Sequence, residues 1–201
     1  ALTLFQAGDL DKSNIPSGQY PALSEQYPAE ANSFPSLCSY YYTFNLREDA
    51  PAWEHDVRVR QALSLAVDRD VIVKNVTAAG QIPAYTFTPG ATAGFEVPTV
   101  ATATMTQDER NAKAQALLAE AGYPEGIGPD GKQLVIRFDT VSNWITSDSQ
   151  AWMEKQFQKI NVKLELNKTD YNRFREKVDT SNYQMFMWGW NADYPDPENF
   201  M

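Results

Sequence analysis

The sequence is poor in the residues that build metal sites and internal cross-links. Among its 201 residues there is one cysteine, Cys38, and one histidine, His55. A single thiol cannot form an internal disulfide, and one thiol with one imidazole cannot supply the four ligands of a structural zinc site. These scarcities exclude an internal disulfide framework and a thiolate–imidazole zinc centre.

The sequence also lacks long apolar runs and an excess of positive charge. Its uninterrupted apolar stretches are only a few residues long, whereas a helix needs roughly 20 such residues to span a bilayer. There are 17 Lys and Arg residues against 26 Asp and Glu, which gives a net charge of −9. Such a surface repels phosphate backbones and anionic lipids, which argues against nucleic acid or a membrane surface as a partner.

What is present is typical of a folded globular protein, with 43% hydrophobic and 21% charged residues. Residues 1–36 are the least regular stretch, because prolines interrupt them repeatedly, and they are predicted to form a connector with short helical turns. The sequence begins at Ala1 without a signal peptide and ends at Met201 without an obvious natural stop. We therefore expect it to be an excised or truncated piece.

One strand and three helices are predicted between residues 37 and 122. The aromatic-rich, alternating segment at 37–46 is typical of a strand. Asp56 can cap a helix, and Asp70 is expected to start a second, short helix that stops near Gly80. The first of these helices has an apolar stripe at Val59, Ala62, Leu63, Ala66 and Val67. Thr106 and Glu109 form a capping box for a third helix. That helix carries Ala112, Leu117, Leu118 and Ala121 and is expected to close at Gly122.

The rest of the sequence alternates strands with helices. Strands are predicted at 133–140, 161–168 and 183–190, and helices at 147–160 and after Asp170. This alternation predicts parallel pairings with right-handed crossovers, and hence an α/β fold. Because ligands in such sheets bind beyond the carboxyl ends of strands, the segment after the last strand needs a chemical interpretation.

That segment, WGWNADYPDP at 188–197, combines aromatic and acidic residues. It can be a proline-rich turn with tryptophans in the core and carboxylates in water. It can instead bind an amine, with Trp190 as an apolar wall, Gly189 allowing close backbone approach, and Asp193 receiving the ammonium group. As a third interpretation, Asp193 and Asp196 would form a glycosidase pair, although their spacing in a turn enforces no separation.

Three segments resemble motifs of one known family. DVRVRQALSLAVDR at 56–69, GQIPAYTFTP at 80–89 and WNADYPDP at 190–197 are similar to blocks of the peptide- and nickel-binding solute receptors of ABC importers. The resemblance covers essentially the whole chain and is greatest to the oligopeptide-binding group. It implies an α/β fold that is one lobe of a two-lobed, type II-like periplasmic-binding-protein fold, with a mixed sheet and flanking helices. By this resemblance, residues 1–37 are an inter-lobe connector or a remnant of the first lobe, and residues 38–201 are an incomplete second ligand-binding lobe.

The resemblance also implies a function. Receptors of this kind capture oligopeptides in a cleft that closes by hinge motion, and they deliver them to the membrane permease of an ABC importer. We expect a monomer without cofactor, metal or catalytic residue, located in the periplasm or otherwise outside the cytoplasm as a secreted protein or lipoprotein. Relatives that bind oligosaccharides, nickel complexes or haem leave a non-peptide ligand open, and a hydrolase using Asp193 and Asp196 is a remote alternative.

Particular residues align with the family's ligand-binding positions. Asp193 matches the acceptor for the peptide α-ammonium group, Trp190 and Asn191 match residues that line the first side-chain pocket, and Tyr171 matches an aromatic pocket wall.

Two further positions depart from the family pattern. Met187 stands where oligopeptide receptors can carry an arginine that reaches the carboxylate of a short peptide, which argues against a preference for short peptides. Some members pair a cysteine at the position of Asn191 with the one that matches Cys38. Since that partner is missing, Cys38 is expected to be a free thiol.

Overall fold

A mixed sheet organises the part of the protein that the computed structural model describes, residues 1–16, 18–34, 36–145 and 147–201. Within these ranges its strands are β1 (Cys38–Phe44), β2 (Val135–Val141), β3 (Lys163–Thr169) and β4 (Met185–Asn191), in the order β1-β4-β2-β3. β2 lies parallel to both β3 and β4, whereas β1 runs antiparallel to β4. The predicted strands and the mixed α/β sheet are confirmed.

Helices connect and cover these strands. In chain order they are α1 (Leu2–Gln6), α2 (Tyr20–Gln26), α3 (Ala52–His55), α4 (Val57–Ala66), α5 (Arg69–Val71), a π-helix at Ile72–Thr77, a 3₁₀ helix at Ala101–Thr104, α6 (Gln107–Glu120), a 3₁₀ turn at Pro124–Gly126, α7 (Ser147–Gln158), α8 (Tyr171–Asp179) and a 3₁₀ helix at Pro197–Phe200. Among the described residues, no helix is both long enough and apolar enough to cross a membrane.

Side-chain caps fix where the main helices begin. The Asp56 carboxylate accepts a hydrogen bond from a backbone N–H in the first turn of α4, at 2.9 Å. At α6 the Thr106 N–H donates to Glu109 Oε2 at 2.7 Å, and the Glu109 N–H donates back to Thr106 Oγ1 at 3.3 Å. Asp170 caps α8 in the same way as Asp56 caps α4, at 3.0 Å. These local predictions are confirmed because each depends on residues within one turn of the cap.

The helix predicted to begin at Asp70 begins earlier, and this prediction is wrong. Asp68 has the extended backbone that an N-cap requires, and its Oδ1 accepts from the Val71 N–H at 3.1 Å. Asp70 therefore lies in the first turn. The following π-helix ends at Ala78, whose φ of 43° is left-handed, two residues before the predicted stop.

The main hydrophobic core lies between one face of the sheet and helices α4, α6 and α7. Its members with almost no exposed surface include Leu63, Leu118, Phe138 and Phe157. Ala112 of α6 is exposed, because the buried line of this helix runs through Asn111, Ala114 and Leu118. A second, smaller core lies on the opposite face of the sheet, where α8 packs on the strands.

Candidate ligand-binding site

The parallel strands β2, β3 and β4 end at the same edge of the sheet, which we call the carboxyl edge. Trp144 follows β2, Tyr171 follows β3 as the first residue of α8, and Asp193 follows β4 by two residues. Because ligands in such sheets bind beyond the carboxyl ends of the strands, this topology brings residues far apart in the sequence to one region.

Aromatic rings form a half-exposed surface at this edge. The ring centroid of Trp144 lies 6.2 Å from that of Tyr171 and 6.3 Å from that of Trp188. Beneath them the fully buried Phe174 of α8 stacks against Trp188 at 6.0 Å. Trp144 and Tyr171 stay 42% and 49% exposed, so a flat apolar wall remains available to a ligand. Trp190 lies on the same face of β4 as Trp188, since alternate strand residues share a face.

Trp144 was missed by the sequence reasoning. Its signal was its position four residues beyond the end of the parallel strand predicted at 133–140, where ligand-binding residues are concentrated.

Asn199 holds the segment after β4 in place. Its Oδ1 accepts hydrogen bonds from Trp190 Nε1–H at 2.9 Å and from the Asp193 backbone N–H at 3.0 Å. The neighbouring Phe200 is buried, and its ring centroid lies 5.8 Å from that of Phe87. The loop is thus tied to β4 at one end and to the protein interior at the other. No spacing in the sequence marks Asn199 for this role.

The two carboxylates of the loop differ in how they are used. Asp196 caps the 3₁₀ helix at Pro197–Phe200, because its Oδ1 accepts from the Glu198 N–H at 2.9 Å. Asp193 is exposed, and its carboxylate makes no hydrogen bond or ion pair to any described residue. The Asp193 carboxylate is therefore free to accept a donor from outside the chain, whereas Asp196 already stabilises the backbone.

Gly189 and Met187 lie on the opposite face of β4 from Trp190. Met187 is partly buried and packs against the main core. At Gly189, an added Cβ would lie 2.8 Å from Cε1 of Tyr40, the residue directly opposite on β1. The close approach predicted for a ligand at Gly189 is therefore made by the Tyr40 ring, which needs a residue without a side chain beneath it. The ligand-binding roles of Gly189 and Met187 stay predictions.

Cys38 is a free thiol, as predicted. It lies directly opposite Asn191 in the β1–β4 ladder, so a cysteine at position 191 would be its cross-strand neighbour. Burial raises the pKa of the Cys38 thiol above its ordinary value. The thiolate, which is the reactive form, is correspondingly disfavoured.

Comparison with known proteins identifies the family. Residues 1–201 match the bacterial extracellular solute-binding proteins, family 5 Middle. The periplasmic oligopeptide-binding protein OppA of Escherichia coli K12 is 32% identical over 199 residues, covering 98% of this chain and 35% of that protein. The periplasmic murein peptide-binding protein MppA of the same organism is 32% identical over 200 residues, covering 98% of this chain and 36% of that protein. The chain thus spans about a third of the length of these relatives.

Solved structures share this fold. The Escherichia coli murein tripeptide binding protein MppA has a TM-score of 0.80 at 30% identity, and the match covers 99% of this chain and 38% of that chain. For OppA of Burkholderia pseudomallei the TM-score is 0.81 at 27% identity, again over 99% and 38%. For Haemophilus influenzae OppA in complex with RPPGFSPFR it is 0.75 at 26% identity, with the same coverage. These matches and the mixed sheet agree with one lobe of a larger receptor. The chain belongs to the bacterial extracellular solute-binding proteins of family 5.

Proposed function

We propose that the protein containing this chain captures oligopeptides outside the cytoplasm and delivers them to the membrane permease of an ABC importer. Three of the relatives that match nearly the whole chain are named as oligopeptide-binding or murein peptide-binding periplasmic proteins, which supports this proposal over an oligosaccharide, nickel-complex or haem ligand. In the proposed receptor, residues 38–201 supply most of one ligand-binding lobe, and residues 1–37 connect it to the other lobe. The receptor is proposed to act as a monomer.

The single observation that carries the proposal is the exposed carboxylate of Asp193, which has no partner among the described residues and follows β4 at the same edge of the sheet as the aromatic rings. A peptide with a free amino terminus presents an ammonium group, and a charge-assisted hydrogen bond to a carboxylate contributes about 1.5–3 kcal/mol. Trp190 and Asn191 then line the pocket for the first side chain, and Tyr171 with Trp144 forms the wall of a neighbouring pocket. The extended peptide backbone supplies the remaining, sequence-independent affinity.

Substitution of Asp193 tests this role. In the full-length protein, Asp193→Asn is expected to weaken the binding of a peptide with a free amino terminus at least tenfold, which corresponds to about 1.4 kcal/mol. Asp196→Asn is the matched control, because it removes the same charge three residues away and asparagine still caps a helix. Calorimetry with an unmodified pentapeptide measures both. Equal affinities for Asp193→Asn and the wild type would refute the assigned role.

We also propose that Asp193 and Asp196 do not form a hydrolytic pair. The family is a class of solute-binding proteins, and the capping role of Asp196 leaves only one of the two carboxylates free for chemistry. The purified protein is expected to leave peptides and glycosides intact over long incubation. Turnover that disappears in Asp196→Asn would contradict this proposal.

A further inference from the structure

A polar groove lies beside α8, next to the aromatic surface but separate from it. Its volume is about 550 Å³. Asn167 and Thr169 of β3 and Arg137 of β2 contribute to its lining, as does one side of α8. The other lining residues are Lys168 of β3, Arg173, Glu176 and Lys177 of α8, and Thr180 and Asn182 after α8.

The groove exists because α8 covers only part of the sheet. The apolar residue Phe174 of α8 packs on Val141 of β2 and on Phe186 of β4, and Val178 packs against the same cluster. β3 has no residue in that cluster, so its outward face stays uncovered and carries polar residues. The strip of β3 beside α8 is therefore a polar, partly buried surface rather than an unfinished core.

The charges of the groove are opposite in sign to those of the whole chain. Four lining residues are cationic and one is anionic, whereas the chain carries a net charge of −9. A buried carboxylate, Asp139, which is 1% exposed, neutralises part of this charge. It accepts from Lys177 Nζ, from Asn167 Nδ2 at 2.6 Å and from Arg137 Nε at 3.3 Å. This network fixes Lys177 and Arg137 and leaves an excess of positive charge at the mouth of the groove.

Some donors at the groove are not used by the protein. The guanidinium group of Arg173 makes no hydrogen bond or ion pair to the residues that the structure describes. Lys168 Nζ, by contrast, is already used, because it donates to Gln150 Oε1 of α7, the helix that packs on the main core, at 2.8 Å. The hydroxyl of Thr169 is buried yet has no hydrogen-bond partner within the described ranges. A buried hydroxyl without a partner is costly, and a bound polar ligand would satisfy it.

We propose that this groove is a binding site for a small multivalent anion, of the phosphate or polycarboxylate class. Arg173 supplies the charge at the mouth, since a planar guanidinium binds such oxyanions in a bidentate manner. The Thr169 hydroxyl contributes a neutral donor inside. Lys177 and Arg137 are held by Asp139, so they line the bottom of the groove, and their positive charge favours a bound anion. The groove shares no lining residue with the aromatic surface, and anion binding there does not depend on peptide binding.

Two-dimensional NMR titration of the protein with inorganic phosphate, and separately with citrate, tests this proposal. Each titration is made at constant ionic strength against sodium chloride, so that general screening is matched. Saturable shifts are expected for the backbone amides of Asn167 and Thr169. Arg173→Gln is expected to weaken binding at least tenfold. Arg175→Gln is the matched control, because Arg175 lies on the same helix but pairs with Asp179 and lies over the Trp188 ring.

The outcomes separate the two anion sources and the two proposals. Saturation by phosphate alone assigns an oxyanion of the phosphate class, and saturation by citrate alone assigns a polycarboxylate. Linear, non-saturating shifts with both probes, or equal affinities in Arg173→Gln and Arg175→Gln, would overturn the groove proposal. Neither result changes the expectation for Asp193→Asn, because Asp193 does not line the groove and peptide binding is measured separately.

Discussion

Replacing Glu54 by glutamine should abolish a pH dependence of stability that the wild type shows between acidic and mildly alkaline conditions. Glu54 lies in α3 and is completely buried. Neither of its carboxylate oxygens has a hydrogen-bond partner among the described residues. Burial raises the pKa of Glu54 to about 7, and the Asn45 backbone amide and the positive charge of Arg137 oppose this only in part. The Asn45 N–H is not a hydrogen-bond partner of Glu54, because it already donates to the Gln184 carbonyl at 3.0 Å.

The sign and the size of the effect follow from this pKa. The unfolded chain releases the proton near pH 4.5, whereas the folded protein holds it up to pH 7. A carboxyl group with a raised pKa in the folded state stabilises the fold at low pH, and that contribution is lost as the pH rises from 4.5 to 7. At 1.36 kcal/mol for each pH unit between the two values, the loss is about 3 kcal/mol. A glutamine side chain does not titrate in this pH range, so Glu54→Gln should not show this loss of stability.

Urea unfolding at pH 4.5 and pH 8 measures the effect. Between pH 4.5 and pH 8, the free energy of unfolding of the wild type should fall by about 3 kcal/mol relative to that of Glu54→Gln. Glu30→Gln, at an exposed position, is the control and should follow the wild type at both pH values. If Glu54→Gln and the wild type give parallel profiles, Glu54 is not protonated in the folded protein and the reasoning is wrong.

Two further predictions concern the framework of the site. Asn191→Cys should form a disulfide with Cys38 under oxidising conditions, because directly opposite residues in an antiparallel ladder lie within the Cα separation that a disulfide requires. Mass spectrometry under non-reducing conditions detects this disulfide. It should stabilise the fold by about 2–4 kcal/mol, which a rise in the thermal midpoint of unfolding measures. Two free thiols after oxidation would show that the register is wrong. Thr106→Ala should cost about 1 kcal/mol in urea unfolding by removing the α6 cap, whereas Thr106→Ser should cost little. Equal losses in both variants would contradict the capping role.

Local features of this fold could be predicted from the sequence, because their causes lie within a few residues. The caps at Asp56, Asp170 and Thr106 depend only on the adjacent turn, and so does the alternation of β2 and β3. The choice between Asp68 and Asp70 failed at the same scale, since both residues can cap a helix and the backbone leaving α4 decides between them.

Long-range features could not be predicted in the same way. The contact of Asn199 with both Trp190 and Asp193 depends on how the chain turns back after β4. The ion pair between Asp139 and Lys177 joins residues that are 38 positions apart and meet only when α8 packs on the sheet. Periodicity identifies the strands, but it does not reveal which polar side chains on their outward faces will meet. For that reason the sequence pointed to the carboxyl edge and gave no sign of the groove beside α8.

The most direct measurement of the central claim is a thermodynamic cycle between the Asp193 carboxylate and the amino terminus of the peptide. Calorimetry on the full-length protein compares wild type and Asp193→Asn, each with a peptide and with its N-acetylated form. If the carboxylate binds the ammonium group, either change alone weakens binding at least tenfold, and the second change then adds little to the first. Fully additive losses, or unchanged affinity for the acetylated peptide, would contradict the account.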